Sequence, residues 1–248
     1  METKDDIKIH EEPITFSLNG KMHIGYFSYD ENQKGTRPGI LVVPEWWGLN
    51  DYTRSRAKQL AELGYAAMAI DIYGGGEQGN TPPTALALAT PFHQNPALGK
   101  PIIDAAIDKL KSMPHVDAAN IAAIGYCFGG YILLNAVKLG ADLKGMVSFH
   151  GGLQGVPPNK DLIKAKILVC HGDADEYDNP HLPKFKQDMA DANIDYDLKV
   201  YADATHAFTN PVSTEKGIEF NIPIEYNEAA DKDSWNDMKV FFKVVFGK

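Results

Sequence analysis

The sequence predicts an α/β protein built on a mostly parallel, doubly wound sheet with helices on both faces and an N-terminal antiparallel ribbon. Three observations carry this. Residues 39–43, Gly-Ile-Leu-Val-Val, form an unbroken apolar run, and its lack of alternation marks a strand buried on both faces. Strand-like and helix-like segments then alternate to the end of the chain, the order that generates βα units. Ahead of them, residues 14–18 and 22–29 alternate about Asn19-Gly20, a pair that favours the positive φ of a tight hairpin turn.

The elements follow in order. After the strand at 39–43, a helix is expected over 52–63, stopped by Gly64, and a strand over 65–70. A helix over 99–113 leads to a strand over 120–124, then a helix over 128–139 stopped by Gly140. Strands over 145–149 and 165–169, a helix over 183–192, a strand over 196–201 and a helix over 226–246 complete the pattern. Residues 73–96, rich in Gly, Pro and Thr, and 209–224, without clear period, read as long irregular segments of the kind that form binding loops, the second a candidate lid. The whole chain, 1–248, is expected to form one domain.

The 33 Asp and Glu outweigh 24 Lys and Arg, a net charge of −9 that repels phosphate backbones and anionic lipid surfaces. Nucleic acid and membrane therefore drop out as expected partners. Residues 1–12 are polar without an apolar signal core, and no window approaches the roughly 18 apolar residues of a membrane span, so a cytoplasmic protein is expected. Two cysteines make no disulfide framework, so each needs its own explanation.

One of them has a distinctive setting. Gly125-Tyr126-Cys127-Phe128-Gly129 stands between a predicted strand and a predicted helix. Small residues two before and two after Cys127 permit the strained turn of a nucleophile elbow, with Cys in the usual Ser place. A helix N-terminus favours thiolate, and the Phe128 N–H is available to an oxyanion. Taken alone, the motif reads equally as a buried structural cysteine between packing glycines. The downstream sequence shifts that balance. Asp173 and Asp175 follow one strand and His206 follows the next, giving nucleophile, acid and base in α/β-hydrolase order at successive sheet ends.

With these residues in view, the chain resembles the dienelactone hydrolase family of α/β hydrolases, from Pro44-Glu45-Trp46-Trp47-Gly48 to Ser234-Trp235. The resemblance implies Cys127 as nucleophile, His206 as general base and Asp175, rather than Asp173, as the orienting carboxylate, because His171-Gly172-x-x-Asp175 fits the family pattern. It implies Glu45 as the glutamate near the resting thiol, and the Trp46 and Phe128 N–H groups as the oxyanion hole. The alternative reading of Glu45, less favoured, is a partner for the N-terminus of the following helix near Asn50 and Asp51. The departure concerns substrate. Family members hold a substrate carboxylate with two arginines, one before the elbow strand and one shortly after the histidine. Here the only arginines are Arg37, Arg54 and Arg56, Asn210 stands where the second is expected, and Lys100 is the one lysine between Lys58 and Lys109. Dienelactone is therefore expected to be a poor substrate. Trp47, Tyr73, Phe92 and Phe208, with Asn210, are candidate pocket residues.

Other motifs carry less. Gly74-Gly75-Gly76-Glu77-Gln78-Gly79 satisfies a dinucleotide fingerprint formally, but Asn80-Thr81-Pro82-Pro83 follows where a helix should open. Asp173, Asp175 and Asp178 lack the glycine of a calcium loop, and the histidines lack metal-site spacing, so neither cofactor nor metal is expected. Cys170 reads as core, and His150 and His171 as structural histidines at strand ends. The expected function is hydrolysis of a small-molecule ester or lactone through a thioester, by a monomer or small homo-oligomer. The alternatives are a non-catalytic small-molecule receptor on the same fold, and an enzyme cleaving a thioester, peptide or carbon–halogen bond.

Overall fold

The computed structural model describes residues 7–247, so the start of the polar segment, residues 1–6, lies outside the described residues. Eight strands form one sheet: β1 (Ile9–Leu18), β2 (Lys21–Asp30), β3 (Arg37–Val43), β4 (Ala66–Ile70), β5 (Val116–Tyr126), β6 (Gly145–Phe149), β7 (Lys166–Gly172) and β8 (Asp197–Tyr201). Their spatial order is β1-β2-β4-β3-β5-β6-β7-β8. β1 pairs with β2 and β2 with β4 antiparallel, and every other pair is parallel. The hairpin turns at Asn19 (φ 51°) and Gly20 (φ 80°), as their pairing predicts. β3, β4 and β6 are buried at every residue, which is why their sequences do not alternate.

Helices α2 (Pro82–Gln94), α3 (Gly99–Lys111), α4 (Phe128–Lys138) and α5 (Leu182–Asp191) supply one apolar layer. Helices α1 (Asp51–Glu62) and α7 (Glu228–Phe246) supply the other. All eleven residues of α4 are buried, so this helix presents no face to solvent. Each Ile or Leu it buries contributes about 1.5–3 kcal/mol, and a truncation there would leave a cavity directly behind the elbow. Among the described residues no helix is long and apolar enough to cross a membrane.

Two segments correct the sequence reading. Residues 73–96 contain α2, because Pro82 and Pro83 occupy its first turn, where a missing N–H is harmless, and Thr84 Oγ1 accepts the Thr81 amide at 3.0 Å. Residues 209–224 contain a further helix, α6 (Ser213–Phe220), stopped by Asn221 in the left-handed region at φ 51°. The ribbon and the elbow strand also begin earlier than expected, at Ile9 and Val116.

Candidate active site

Five chain segments leave the carboxyl ends of neighbouring parallel strands and converge: Glu45 after β3, Cys127 after β5, His150 after β6, Asp175 after β7 and His206 after β8. This is where an open parallel sheet presents polar side chains without burying unpaired backbone.

The turn at Cys127 is strained, with φ 51° and ψ −116°. Its flanking glycines are sterically required. A Cβ on Gly125 would stand 2.4 Å from the Gly129 carbonyl oxygen, and one on Gly129 2.3 Å from that of Val43. Cys127 caps α4, and Phe128 is the first helical residue, so its N–H belongs to the set a helix leaves without an internal acceptor.

The thiol, the imidazole and one carboxylate form a line. Cys127 Sγ lies 3.0 Å from His206 Nε2, and His206 Nδ1 donates to Asp175 Oδ2 at 2.8 Å. Asp175 is fully buried, and its Oδ1 accepts the Tyr177 and Asp178 amides at 3.0 and 3.2 Å. Burial opposes the charge on Asp175, but the bonds and charge of His206 outweigh it and hold the carboxyl below its usual range. Burial likewise opposes the imidazolium of His206, and Cys127 and Asp175 reverse this, raising it well above the ordinary histidine value. Asp178, which sequence reasoning did not single out for this role, is a second carboxylate 3.6 Å from His206 Nδ1. Its own pKa is raised, first by burial and then by Asp175.

Glu45 is buried, and its Oε2 accepts from Asn210 Nδ2 at 2.7 Å. The role of helix partner falls to Asn50, whose Oδ1 accepts the Thr53 amide at 3.1 Å. Burial raises the Glu45 pKa, against the opposing effects of Asn210, His206, Lys216 and Arg56. The sign of the consequence is fixed. An acid with a folded pKa above its unfolded value loses stability as pH rises from about 4.3 through the folded value. Glu45→Gln, which keeps an acceptor for Asn210, is expected to melt higher than wild type at about pH 8, by roughly 2–4 °C per kcal/mol relieved, with the gap closing near pH 4. Thermal melts across that range test this, and an unchanged or lower Tm at the alkaline end would show that the charge stabilises the fold.

The site opens into a cavity of about 350 Å³, lined by Glu45, Trp46, Trp47, Cys127, Phe128 and His206 on the reactive side. Tyr131, Tyr177, Asp178, His93, His181, Gln154, Gly152, Ala207, Ile222 and Ile224 complete the wall, with no Lys or Arg among them. Of the aromatic candidates, only Trp47 is a lining residue. The others are corrected to supporting positions. Tyr73 donates to the Trp46 carbonyl oxygen at 2.9 Å and stacks on Phe128, Phe92 meets Phe128 edge-on, and Phe208 packs against His150 and Tyr201. Asn210 stands behind Glu45 rather than in the wall. Their apolar area goes to core packing, which sequence cannot separate from pocket lining.

The remaining motifs resolve locally. Gly74, Gly75 and Gly76 all have positive φ because the loop wraps a buried carboxylate: Asp71 accepts the amides of Tyr73, Gly74 and Gly76 at 2.8–3.0 Å. Those amides are thereby committed to a side chain rather than to a phosphate. Cys170 is buried, its thiol pushed up to about 12 by desolvation. His171 Nε2 pairs with Asn179 Oδ1 at 2.8 Å.

A parallel sheet that brings a thiol, an imidazole and a carboxylate into one hydrogen-bonded line at its strand ends is the architecture of an α/β hydrolase. Comparison with known proteins narrows the class. The model of the dienelactone hydrolase family matches residues 25–246, and the chain belongs to this family, a hydrolase acting on ester or lactone bonds. A solved structure described as a dienelactone hydrolase-like promiscuous phosphotriesterase from metagenomic libraries is 31% identical, with a TM-score of 0.87 over 96% of this chain and 98% of that one. "Protein usf" of Aquifex pyrophilus is 28% identical over 93% of this chain and 96% of its own length. A probable 2-oxo-3-(5-oxofuran-2-ylidene)propanoate lactonase of Bradyrhizobium is 26% identical over 93% and 92%.

Proposed function

We propose that the protein hydrolyses uncharged esters and lactones through a thioester on Cys127. The observation that carries this reading is the line from Cys127 Sγ through His206 to Asp175, at 3.0 and 2.8 Å. The Cys127 thiolate adds to the substrate carbonyl carbon, and the oxyanion is held by the Trp46 and Phe128 amides. Collapse breaks the carbon–oxygen bond, and the leaving alkoxide or enolate takes the proton from the His206 imidazolium. Water then adds to the thioester as His206 accepts its proton, the carbon–sulfur bond breaks, and the acid product departs with Cys127 restored. Asp175 keeps the His206 proton on Nδ1 and supports the imidazolium. Glu45, buried beside this charge, is assigned to activation of the resting thiol. The 209–224 segment, whose Ile222 and Ile224 line the cavity, is assigned as its lid within a single domain. Two unpaired cysteines, one of them reactive, suit the reducing cytoplasm.

The pocket lining sets substrate charge. Glu45 and Asp178 are carboxylates of the wall and no Lys or Arg is among its lining residues; the nearby Lys216 ammonium is engaged 3.8 Å over the Trp47 ring rather than offered to a substrate carboxylate. On this basis kcat/KM for a carboxylate-bearing dienelactone is expected to fall about 10- to 100-fold below that for a neutral enol ester of similar leaving group. Equal values would overturn the assignment of neutral substrates. The covalent step is tested separately by rapid mixing with a p-nitrophenyl ester and intact-protein mass, which should show a burst and one acyl group on Cys127.

A further inference from the structure

Cys127 is held by a second set of buried hydrogen bonds that the proposed mechanism does not use. Its amide is shared between the Phe149 carbonyl oxygen at 3.0 Å and His150 Nδ1 at 3.1 Å. His150 Nε2 lies 2.7 Å from Thr209 Oγ1, which lies 2.6 Å from the Tyr52 hydroxyl. Arg56 closes the series, donating from Nε to the Tyr52 hydroxyl at 3.4 Å and from Nη2 to the Thr209 carbonyl oxygen at 2.6 Å. His150 and Thr209 are fully buried, and His150 is not a lining residue of the cavity.

The proton positions follow from the donors. An amide N–H only donates, so His150 Nδ1 is bare and its proton sits on Nε2, pointing at Thr209 Oγ1. An imidazolium would set one N–H against another. The groups around the ring agree with a neutral form: Tyr126 and His206 lie 6.0 and 5.5 Å away between ring centres, Phe208 5.1 Å, and the Arg56 cation stands beyond Thr209. Burial first, then the positive charges of His206 and Arg56, hold the ring's pKa well below the ordinary value. His150 itself has a φ of 41°, a second strained residue bonded to the strained elbow.

We infer that His150 is a positioning residue for the nucleophile: its bare Nδ1, fixed by Thr209, Tyr52 and Arg56, holds the Cys127 amide and so sets the direction of the thiol. The inference rests on the reading of Cys127 as the attacking group. A residue at φ 51° has no broad well to define its side-chain direction, so the peptide plane before it must be held from outside. Misplacement of a reacting atom by about 1 Å costs on the order of 100-fold in rate, which gives this hydrogen bond leverage on kcat rather than on substrate binding.

Steady-state kinetics of the full chain on a neutral p-nitrophenyl ester, with thermal melts, test the inference. His150→Asn keeps an acceptor near the Nδ1 position, whereas His150→Gln carries its amide to the Nε2 position and leaves the Cys127 amide only Phe149. The Asn variant is expected within about threefold of wild-type kcat, and the Gln variant about 10- to 100-fold lower with KM within about twofold. Equal kcat for the two would overturn the inference, at whatever level they agree. If either fails to melt cooperatively, Thr209→Val decides. It keeps the shape and the backbone carbonyl but removes the acceptor that fixes the tautomer, and kcat is expected to fall about 5- to 10-fold with KM unchanged. Wild-type kcat in that variant would overturn the inference. Cys127→Ala in the same assay separates the two levels. Turnover by that variant removes the nucleophile reading, whereas an inactive Cys127→Ala beside indistinguishable Asn and Gln variants removes only the role of His150.

Discussion

Cys127→Ala is expected to lower turnover of a p-nitrophenyl ester by about 10⁴-fold or more while leaving the Tm within a few degrees of wild type. The large effect follows from the proposed covalent route: on that route, without the thiol neither the addition nor the thioester exists, and only binding and the two amides assigned to the oxyanion remain. The small effect on stability follows from the packing. Cys127 is half-buried at the cavity floor, and Ala meets the same backbone penalty at φ 51°. Mass spectrometry after rapid mixing should find the acyl group on wild type and none on the variant. Turnover by the variant within tenfold of wild type would end the covalent reading.

The second large effect is on stability and lies away from the reacting atoms. Arg56→Met is expected to cost about 3–5 kcal/mol, or roughly 6–20 °C in Tm. The Arg56 side chain is 6% exposed and pairs with Asp231, 14% exposed, while its Nη2 also donates to the Thr209 carbonyl oxygen at 2.6 Å. The rings of Tyr52, Tyr126 and Trp235 surround it with centres 5.2–5.6 Å from Cζ. Removing the guanidinium leaves the largely buried Asp231 carboxylate with the Tyr226 hydroxyl, 3.2 Å from Oδ2, in place of an ion pair, whereas removing both charges does not. Arg56→Met combined with Asp231→Leu should therefore recover much of the loss in urea melts. A single-variant loss below about 1 kcal/mol would mean that Asp231 finds water or a proton instead.

The division between what the sequence discloses and what it hides has a physical pattern. The elbow is legible because two close backbone approaches demand glycine at fixed distances from Cys127. The order of Asp175 and His206 is legible because each follows a recognisable strand, β7 as an apolar run buried past its first residue and β8 as a mostly exposed edge strand read from Leu198, Val200 and Tyr201. The inner sheet is legible because strands buried on both faces leave unbroken apolar runs. Helix α2 is hidden by Pro82 and Pro83, which signal a turn by composition and a helix start by position. Asp178 and His150 are hidden more deeply. Nothing in a local pattern says that a carboxylate three residues past Asp175 turns to His206, or that a histidine ending β6 accepts the amide of Cys127. Such contacts are made by the packing of distant segments, as is the separation of lining Trp47 from supporting Tyr73, Phe92 and Phe208.

The stretch between β8 and α7 has a consequence for how such a protein can diversify. Its first residues are pinned at successive positions: His206 to Asp175, Thr209 to His150 and Arg56, Asn210 to Glu45. Its far end returns to the same place, where Ile224 pairs with His206 in an isolated bridge. Between these fixed ends α6 carries Ile218 at 79% exposure, and Ile222 and Ile224 reach the cavity wall. Ser213, whose Oγ donates to the Ala207 carbonyl oxygen at 2.9 Å, and Lys216, over the Trp47 ring, belong to this frame, whereas Ile218 and Ile222 are the parts of the segment open to change. Substitutions at those two positions would redraw the mouth of the cavity without touching the Cys127–His206–Asp175 line, so new specificities are expected to arise there.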